Sequence, residues 1–202
     1  MPPPQTPACA GFVLAGGRSS RMGCEKALLE LNGTPLLVRA ARVLASVCGS
    51  ATIVGSPESY ARFGFPTIAD EQPHLGPLGG ILTALDHSKV SWNLVVACDL
   101  PYLTAEWLRY LIGRAASSHA RVILPESAFG PEPLCAVYHR EVAPAIRAQI
   151  DQGERKVTRA LAAFSVERIP PADIAPFDPC SVLFHNLNTP EDYDRARADL
   201  ET

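Results

Sequence analysis

Short apolar runs alternate with stretches of helical periodicity along nearly the whole chain, the pattern of a sheet whose strands are joined by crossover helices. Residues 10–14 are a continuous apolar run and predict a first strand at 11–14. Asn32-Gly33-Thr34-Pro35 marks a turn, with Pro35 suited to the first position of a helix that reaches about Cys48. Runs at 51–54 and 66–69 predict two further strands. Gly76-Pro77-Leu78-Gly79-Gly80 opens a helix carrying Ile81, Leu82 and Leu85 on one face. Residues 93–98, with Leu94, Val95, Val96 and Ala97, are the most buried strand of all. Thr104 then caps a helix that turns Trp107, Leu108 and Leu111 inward.

The second half is less regular. Strands are expected at 122–124 and 134–138, helices near 141–150 and 154–164, a loop at 169–179 and a short strand at 182–184. Thr189 caps a last helix, with Pro190 at its first position and Glu191 and Asp192 in its first turn. The fold class that follows is α/β, a sheet with crossover helices. Residues 9–202 are expected to form one domain behind a disordered tail at 1–8.

Composition narrows the function. A chain of 202 residues is long enough to bury about 70% of its unfolded surface. Its hydrophobic fraction of 47% and charged fraction of 19% are ordinary for a soluble globular protein. A net charge of −3 argues against a broad nucleic-acid surface, and no run approaches the ~18 apolar residues of a membrane span. Residues 1–7 do not have the pattern of a secretory signal. The six cysteines show no C-x-x-C pair or metal-ligand spacing, which suits reduced thiols in the cytoplasm. Cys24 differs from the rest because neighbouring cations could lower its thiol pKa.

Candidate chemistry concentrates after the first strand, in Leu14-Ala15-Gly16-Gly17-Arg18-Ser19-Ser20-Arg21-Met22-Gly23-Cys24-Glu25-Lys26. Gly16 and Gly17 allow close approach of the backbone to a ligand, and Arg18, Arg21 and Lys26 are opposed only by Glu25. Exposed N–H groups and three cations on one loop suit a polyphosphate, so a nucleotide is expected here. The spacing is neither that of a Walker loop, which needs Gly-Lys-Ser/Thr, nor of a G-x-G-x-x-G dinucleotide fingerprint.

Asp99, directly after the strand at 93–98, is placed where ligands gather in open α/β sheets. A carboxylate there suits Mg²⁺ held jointly with nucleotide phosphates, or a cap on the turn before Pro101. Asp70 occupies the equivalent place after 66–69, as a ribose or base contact or as a turn residue. Gly79-Gly80 permits either ligand approach or helix–sheet packing. Asn186 and Asn188 alternate on an extended segment and share a face, open to substrate, to a second metal or to backbone groups. Arg155, Lys156 and Arg159 form a second cationic cluster, more consistent with a solvated helix face than with an anionic co-substrate. The five histidines show no paired ligand spacing, and neither a Ser-His-Asp nor a Cys-His arrangement is visible.

Taken in order, Leu14-Ala15-Gly16-Gly17, Arg21-Met22-Gly23 and Lys26, Gly76-Pro77-Leu78-Gly79-Gly80, Cys98-Asp99-Leu100-Pro101, Pro133-Leu134-Cys135-Ala136-Val137-Tyr138 and Asn186-Leu187-Asn188-Thr189-Pro190-Glu191 resemble the molybdenum cofactor guanylyltransferases. The resemblance spans nearly the full chain. It implies a three-layer α/β/α fold around a mostly parallel sheet, Rossmann-like and of the glycosyltransferase-A type, and magnesium-dependent transfer of GMP from GTP to the terminal phosphate of molybdopterin, with pyrophosphate leaving. Leu14, Ala15, Gly16 and Lys26 would contact GTP, Gly17 and Gly79 would lie along it, and Asp70 would help to hold it. Asp99 would bind both GTP and Mg²⁺, Arg21 and Lys26 would offset charge on pyrophosphate, and Asn186 and Asn188 would lie towards the pterin. Leu-Ala-Gly-Gly, where cytidylyl relatives carry Leu-Ala-Ala-Gly, favours guanine. The family's fit also implies other cofactor-biosynthesis proteins as partners.

The chain departs from the family where Gly55-Ser56 replaces a frequent Asn, and in a gap from Gly23 to Lys26 that is one residue shorter than in some members. The alternatives are transfer from CTP or to another phosphorylated acceptor, and a nucleotide-binding module without catalysis.

Overall fold

The computed structural model describes residues 8–16, 25–72 and 74–200. The expectations for the tail at 1–7 and for Gly17, Arg18, Arg21, Gly23 and Cys24 lie outside them. Along the chain, β1 (Cys9–Leu14) leads to a small hairpin of β2 (Glu30–Leu31) and β3 (Thr34–Pro35), then α1 (Leu36–Cys48), β4 (Ala51–Val54), α2 (Pro57–Tyr60) and β5 (Thr67–Ile68). Next come α3 (Pro77–His87), β6 (Trp92–Ala97), α4 (Ala105–Ser117), β7 (Val122–Ser127), β8 (Gly130–Pro131) and β9 (Cys135–His139). The chain closes with α5 (Ala143–Asp151), α6 (Val157–Leu161), β10 (Val166–Ile169), α7 (Pro171–Ile174) and α8 (Pro190–Leu200).

The main sheet runs β10-β7-β9-β6-β1-β4-β5, with β8 added to β7. β1 lies parallel to both β4 and β6, β4 to β5, and β10 to β7. Along this path of described strands only β9 opposes its neighbours, β6 and β7, while the added β8 also runs antiparallel to β7. Because β7 is antiparallel to β9, and β9 to β6, β7 runs the same way as β6. The carboxyl ends of β1, β4, β5, β6 and β7 therefore emerge at one sheet edge, and this edge carries the site.

Two apolar layers cover the sheet. Val13, Leu94 and Val96 pack with Leu37, Ala41 and Leu44 of α1 and Trp107, Leu108 and Leu111 of α4 on one face. Phe12, Leu14 and Val95 pack with Leu78, Ile81 and Leu85 of α3 and Ile146 and Ile150 of α5 on the other. Successive strand residues thus serve opposite layers, and β6, buried at every position, reads as an unbroken apolar run because both of its faces are covered. Full burial of each such Leu, Val or Phe contributes about 1.5–3 kcal/mol.

Several expectations need correction. Pro35 lies in β3, and the helix starts one residue later at Leu36. The helix expected at 154–164 is confined to Val157–Leu161, its start held by the Glu154 carboxylate accepting from the Arg155 and Lys156 amides, each at 2.8 Å. The loop expected at 169–179 instead begins in β10 and continues as α7, since Pro170 and Pro171 stand before and at a helix start where no N–H is required. Residues 182–184 form a turn rather than a strand, closed by the His185 amide donating to the Val182 carbonyl at 2.9 Å.

The terminal α8 folds back onto the β2–β3 hairpin. Leu31, Leu36, Leu187 and Ala196 make a separate apolar cluster there. Thr189 caps α8 as expected, accepting from the Asp192 amide at 3.1 Å while the Asp192 carboxylate accepts from the Thr189 amide at 2.9 Å. This reciprocal cap fixes the approach of Asn186, Leu187 and Asn188 to the sheet edge.

Candidate active site

β6 ends at Ala97, and its next two residues turn at the sheet edge. The Cys98 amide donates to the Leu14 carbonyl at 3.1 Å, and the Leu187 amide donates to the Asp99 carbonyl at 3.2 Å. Asp99 is consequently held by its backbone between the end of β1 and the segment leading into α8. Its carboxylate accepts from Lys26 Nζ at 2.9 Å, and the same ammonium donates to Asn188 Oδ1 at 2.8 Å. The Lys26 and Asp99 side chains are 18% and 19% exposed, sheltered yet reachable from solvent. Three residues from the basic loop, the central strand and the pre-α8 segment thus meet at one point.

Leu187 is buried while Asn186 and Asn188 on either side are exposed, so the expected alternation holds although the segment is not a strand. Gly16 is exposed, and a Cβ built on it meets none of the described residues within 4 Å. Ala15 is buried; its amide donates to Val54 and its carbonyl accepts from the Tyr60 hydroxyl, both at 2.9 Å. The Leu14 side chain packs into the α3 layer, against the place where a Cβ on Gly80 would lie.

Asp70 sits between β5 and α3, with Oδ1 accepting from the Gln72 amide at 2.9 Å and the Thr83 hydroxyl at 3.2 Å. This ties the incoming loop to α3. The same loop lies directly on Gly79: a Cβ there would stand 2.5 Å from the Gln72 carbonyl oxygen and 2.9 Å from the Gln72 Cβ. Gly79→Ala is therefore expected to lower stability by about 1–3 kcal/mol. Denaturant unfolding that gives a midpoint equal to wild type would show that the loop yields freely.

Sequence reasoning missed Tyr60. Its hydroxyl meets both the Ala15 carbonyl and the Glu25 carboxylate, so it clasps the two described ends of the basic loop, Gly16 side and Glu25 side, to the floor of the site. Burial, reinforced by the Glu25 carboxylate, pushes the phenol well above its ordinary value, so it stays a donor. Gly55 makes this possible, since a Cβ there would stand 2.6 Å from the Tyr60 ring and 2.8 Å from the Ala15 carbonyl. The only local signal was a glycine closing an apolar run five residues before an aromatic that turned out to be inward-facing.

The remaining candidates lie apart from this cluster or play other parts. Arg155 Nη1 donates to the Ile150 and Glu154 carbonyls at 3.1 and 2.8 Å, holding the junction of α5 and α6 while remaining exposed. Among the described residues no three His, Cys, Asp or Glu side chains gather as a metal cluster. Cys98 is buried against the site floor, and burial pushes its thiol up to about 12, so it is no thiolate nucleophile at neutral pH. The described cysteines Cys9, Cys48, Cys98, Cys135 and Cys180 are all free. No described helix is long and apolar enough to cross a membrane.

Residues 11–166 match the model of the MobA-like NTP transferase domain. A molybdenum cofactor guanylyltransferase of Syntrophotalea carbinolica is 31% identical over 189 residues, covering 93% of this chain and 90% of the relative. A probable molybdenum cofactor guanylyltransferase of Nostoc sp. is 38% identical over 186 residues, covering 90% and 86%. Among solved structures, molybdopterin-guanine dinucleotide biosynthesis protein A from Archaeoglobus fulgidus superposes with a TM-score of 0.84 at 28% identity, covering 95% of this chain and 98% of that one.

Proposed function

The chain belongs to the MobA-like NTP transferases, and from that premise we propose that it transfers GMP from GTP to the terminal phosphate of molybdopterin. Pyrophosphate is released and the guanine dinucleotide form of the cofactor results. The observation that carries this reading is the meeting of Lys26, Asp99 and Asn188 at the carboxyl edge of the sheet.

The attacking group is an anionic phosphate, so no strong base is needed. The chain's task is to hold two phosphorylated molecules in line and offset charge on the leaving pyrophosphate. Lys26 supplies a positioned cation, and Arg21 on the same loop a second one by its place in the sequence. Among the described residues Gly16 leaves open space beside the end of β1 for the triphosphate. Leu14 and Ala15 form the floor under it, Gly79 acts from beneath the Gln72 loop that it lets pack closely, Gly17 favours guanine by its place in the sequence, and Asp70 stands beside the nucleotide after β5. Asn186 and Asn188, exposed beyond Lys26, face the acceptor.

The donor set fits Mg²⁺: one sheltered carboxylate, with amide oxygens nearby and no rival cluster among the described residues, matches a cation that takes one or two carboxylates and fills its other positions with phosphate and water. Asp99 would hold it, and when bound it would neutralise phosphate charge. Residues 9–202 work as one unit, in the cytoplasm, where the buried free thiols of Cys98 and Cys135 suit a reducing compartment. Other proteins of cofactor biosynthesis supply the acceptor.

The test is pyrophosphate release by purified protein with Mg²⁺. Release is expected with GTP only when molybdopterin is present, and to cease with a chelator. Release with CTP in place of GTP would refute the base assignment, and none with molybdopterin and GTP would refute the reaction.

A further inference from the structure

Among the described residues one large apolar side chain, Phe129, is left exposed, at 79%. It stands at the tip of the hairpin between β7 and β8, where Ser127 pairs with Gly130. The tip is braced: the Phe129 amide donates to Ser127 Oγ at 3.0 Å, Ser127 Oγ donates to the Glu132 carboxylate at 2.6 Å, and Gly130 turns the chain at φ 119°. Such a turn holds an aromatic ring in water at a fixed place, although burying that ring would be favoured.

The place is informative. β7 runs with β6, so this hairpin rises from the edge that carries Asp99. The Phe129 ring meets the His185 imidazole at 6.0 Å between centroids and an interplanar angle of 55°. His185 immediately precedes the segment whose Leu187 bonds Asp99 and whose Asn188 bonds Lys26. The two rings are tilted rather than stacked on each other, so most of the Phe129 surface stays open to a third ring.

We propose that Phe129 and His185 form an acceptor-ring subsite that takes a planar, polar heterocycle, Phe129 stacking on its face and His185 bonding its edge. This rests on the acceptor assignment above, in which the heterocycle is a pterin. The reacting phosphate then reaches past Asn186 and Asn188 to the Lys26–Asp99 centre, while the ring end is held by the hairpin. Both residues act in acceptor binding and neither touches the reacting atoms.

The experiment compares wild type with Phe129→Leu, which keeps apolar bulk but removes the π face, and with His185→Ala. Stacking of a base on an aromatic side chain is strong enough to change affinity about tenfold. The KM for molybdopterin is therefore expected to rise about tenfold in Phe129→Leu, with the GTP KM and the melting temperature unchanged; Phe129→Tyr restores it. A molybdopterin KM within twofold of wild type in Phe129→Leu would overturn the subsite while leaving GMP transfer intact. Quenching of neopterin fluorescence by the protein is a second readout that needs no turnover. If wild type fails to transfer GMP to molybdopterin, quenching that is lost in Phe129→Leu still supports the subsite, and quenching absent from wild type or equal in both overturns it.

Discussion

Asp99→Asn is expected to reduce GMP transfer about a thousandfold, at the upper end of what removing one preorganised charge-stabilising group costs. The substitution is nearly isosteric, and the backbone of residue 99 remains fastened through its carbonyl to the Leu187 amide. Circular dichroism and the melting temperature should therefore stay close to wild type, which separates lost chemistry from lost fold. An amide can still accept from Lys26 but carries no charge, so it does not balance the ammonium and holds a divalent cation far more weakly than a carboxylate. Raising the magnesium concentration should recover little. Turnover within tenfold of wild type would remove the Asp99 carboxylate from the reaction.

Lys26→Met is expected to cost about a hundredfold in transfer. Methionine keeps much of the length and apolar stem of lysine and loses the ammonium that bonds Asp99 at 2.9 Å and Asn188 at 2.8 Å. Loss of the cation falls on kcat, because the charge it offsets grows as pyrophosphate departs. Lys26→Arg should recover only part of the activity, since a planar guanidinium does not reproduce a compact point charge bonded to two partners at once. Steady-state kinetics with GTP varied at saturating molybdopterin checks this. An unchanged kcat with only a raised GTP KM would make Lys26 a binding residue without a part in the chemical step.

The sheet edge was legible in the sequence because its causes are local. β1 and β6 are buried on both faces and appear as unbroken apolar runs, and the residues that follow them are a glycine loop and Asp99. Asn186 and Asn188 were legible through alternation with buried Leu187, even though the neighbouring residues 182–184 form a turn. The link between Lys26 and Asn188 was not, because it joins residues 162 positions apart and no local pattern encodes a tertiary distance. Tyr60 escaped for a related reason. Its value lies in crossing over Gly55 to Ala15 and Glu25, a contact made by shape rather than by spacing. The strand at Val166–Ile169 was hidden by the prolines that follow it, which suggested a loop where they begin a helix. Gly79 and Gly80 illustrate the opposite case: the sequence offered ligand approach or packing, and both glycines are closely packed, against Gln72 and Leu14 respectively.

The most direct test of guanylyl transfer at this edge follows the fate of the phosphates. With molybdopterin as acceptor, label from α-³²P GTP should appear in a guanine dinucleotide and label from γ-³²P GTP in pyrophosphate, and both should vanish in Asp99→Asn. Gamma label carried onto the acceptor, or alpha label transferred undiminished by Asp99→Asn, would contradict the account.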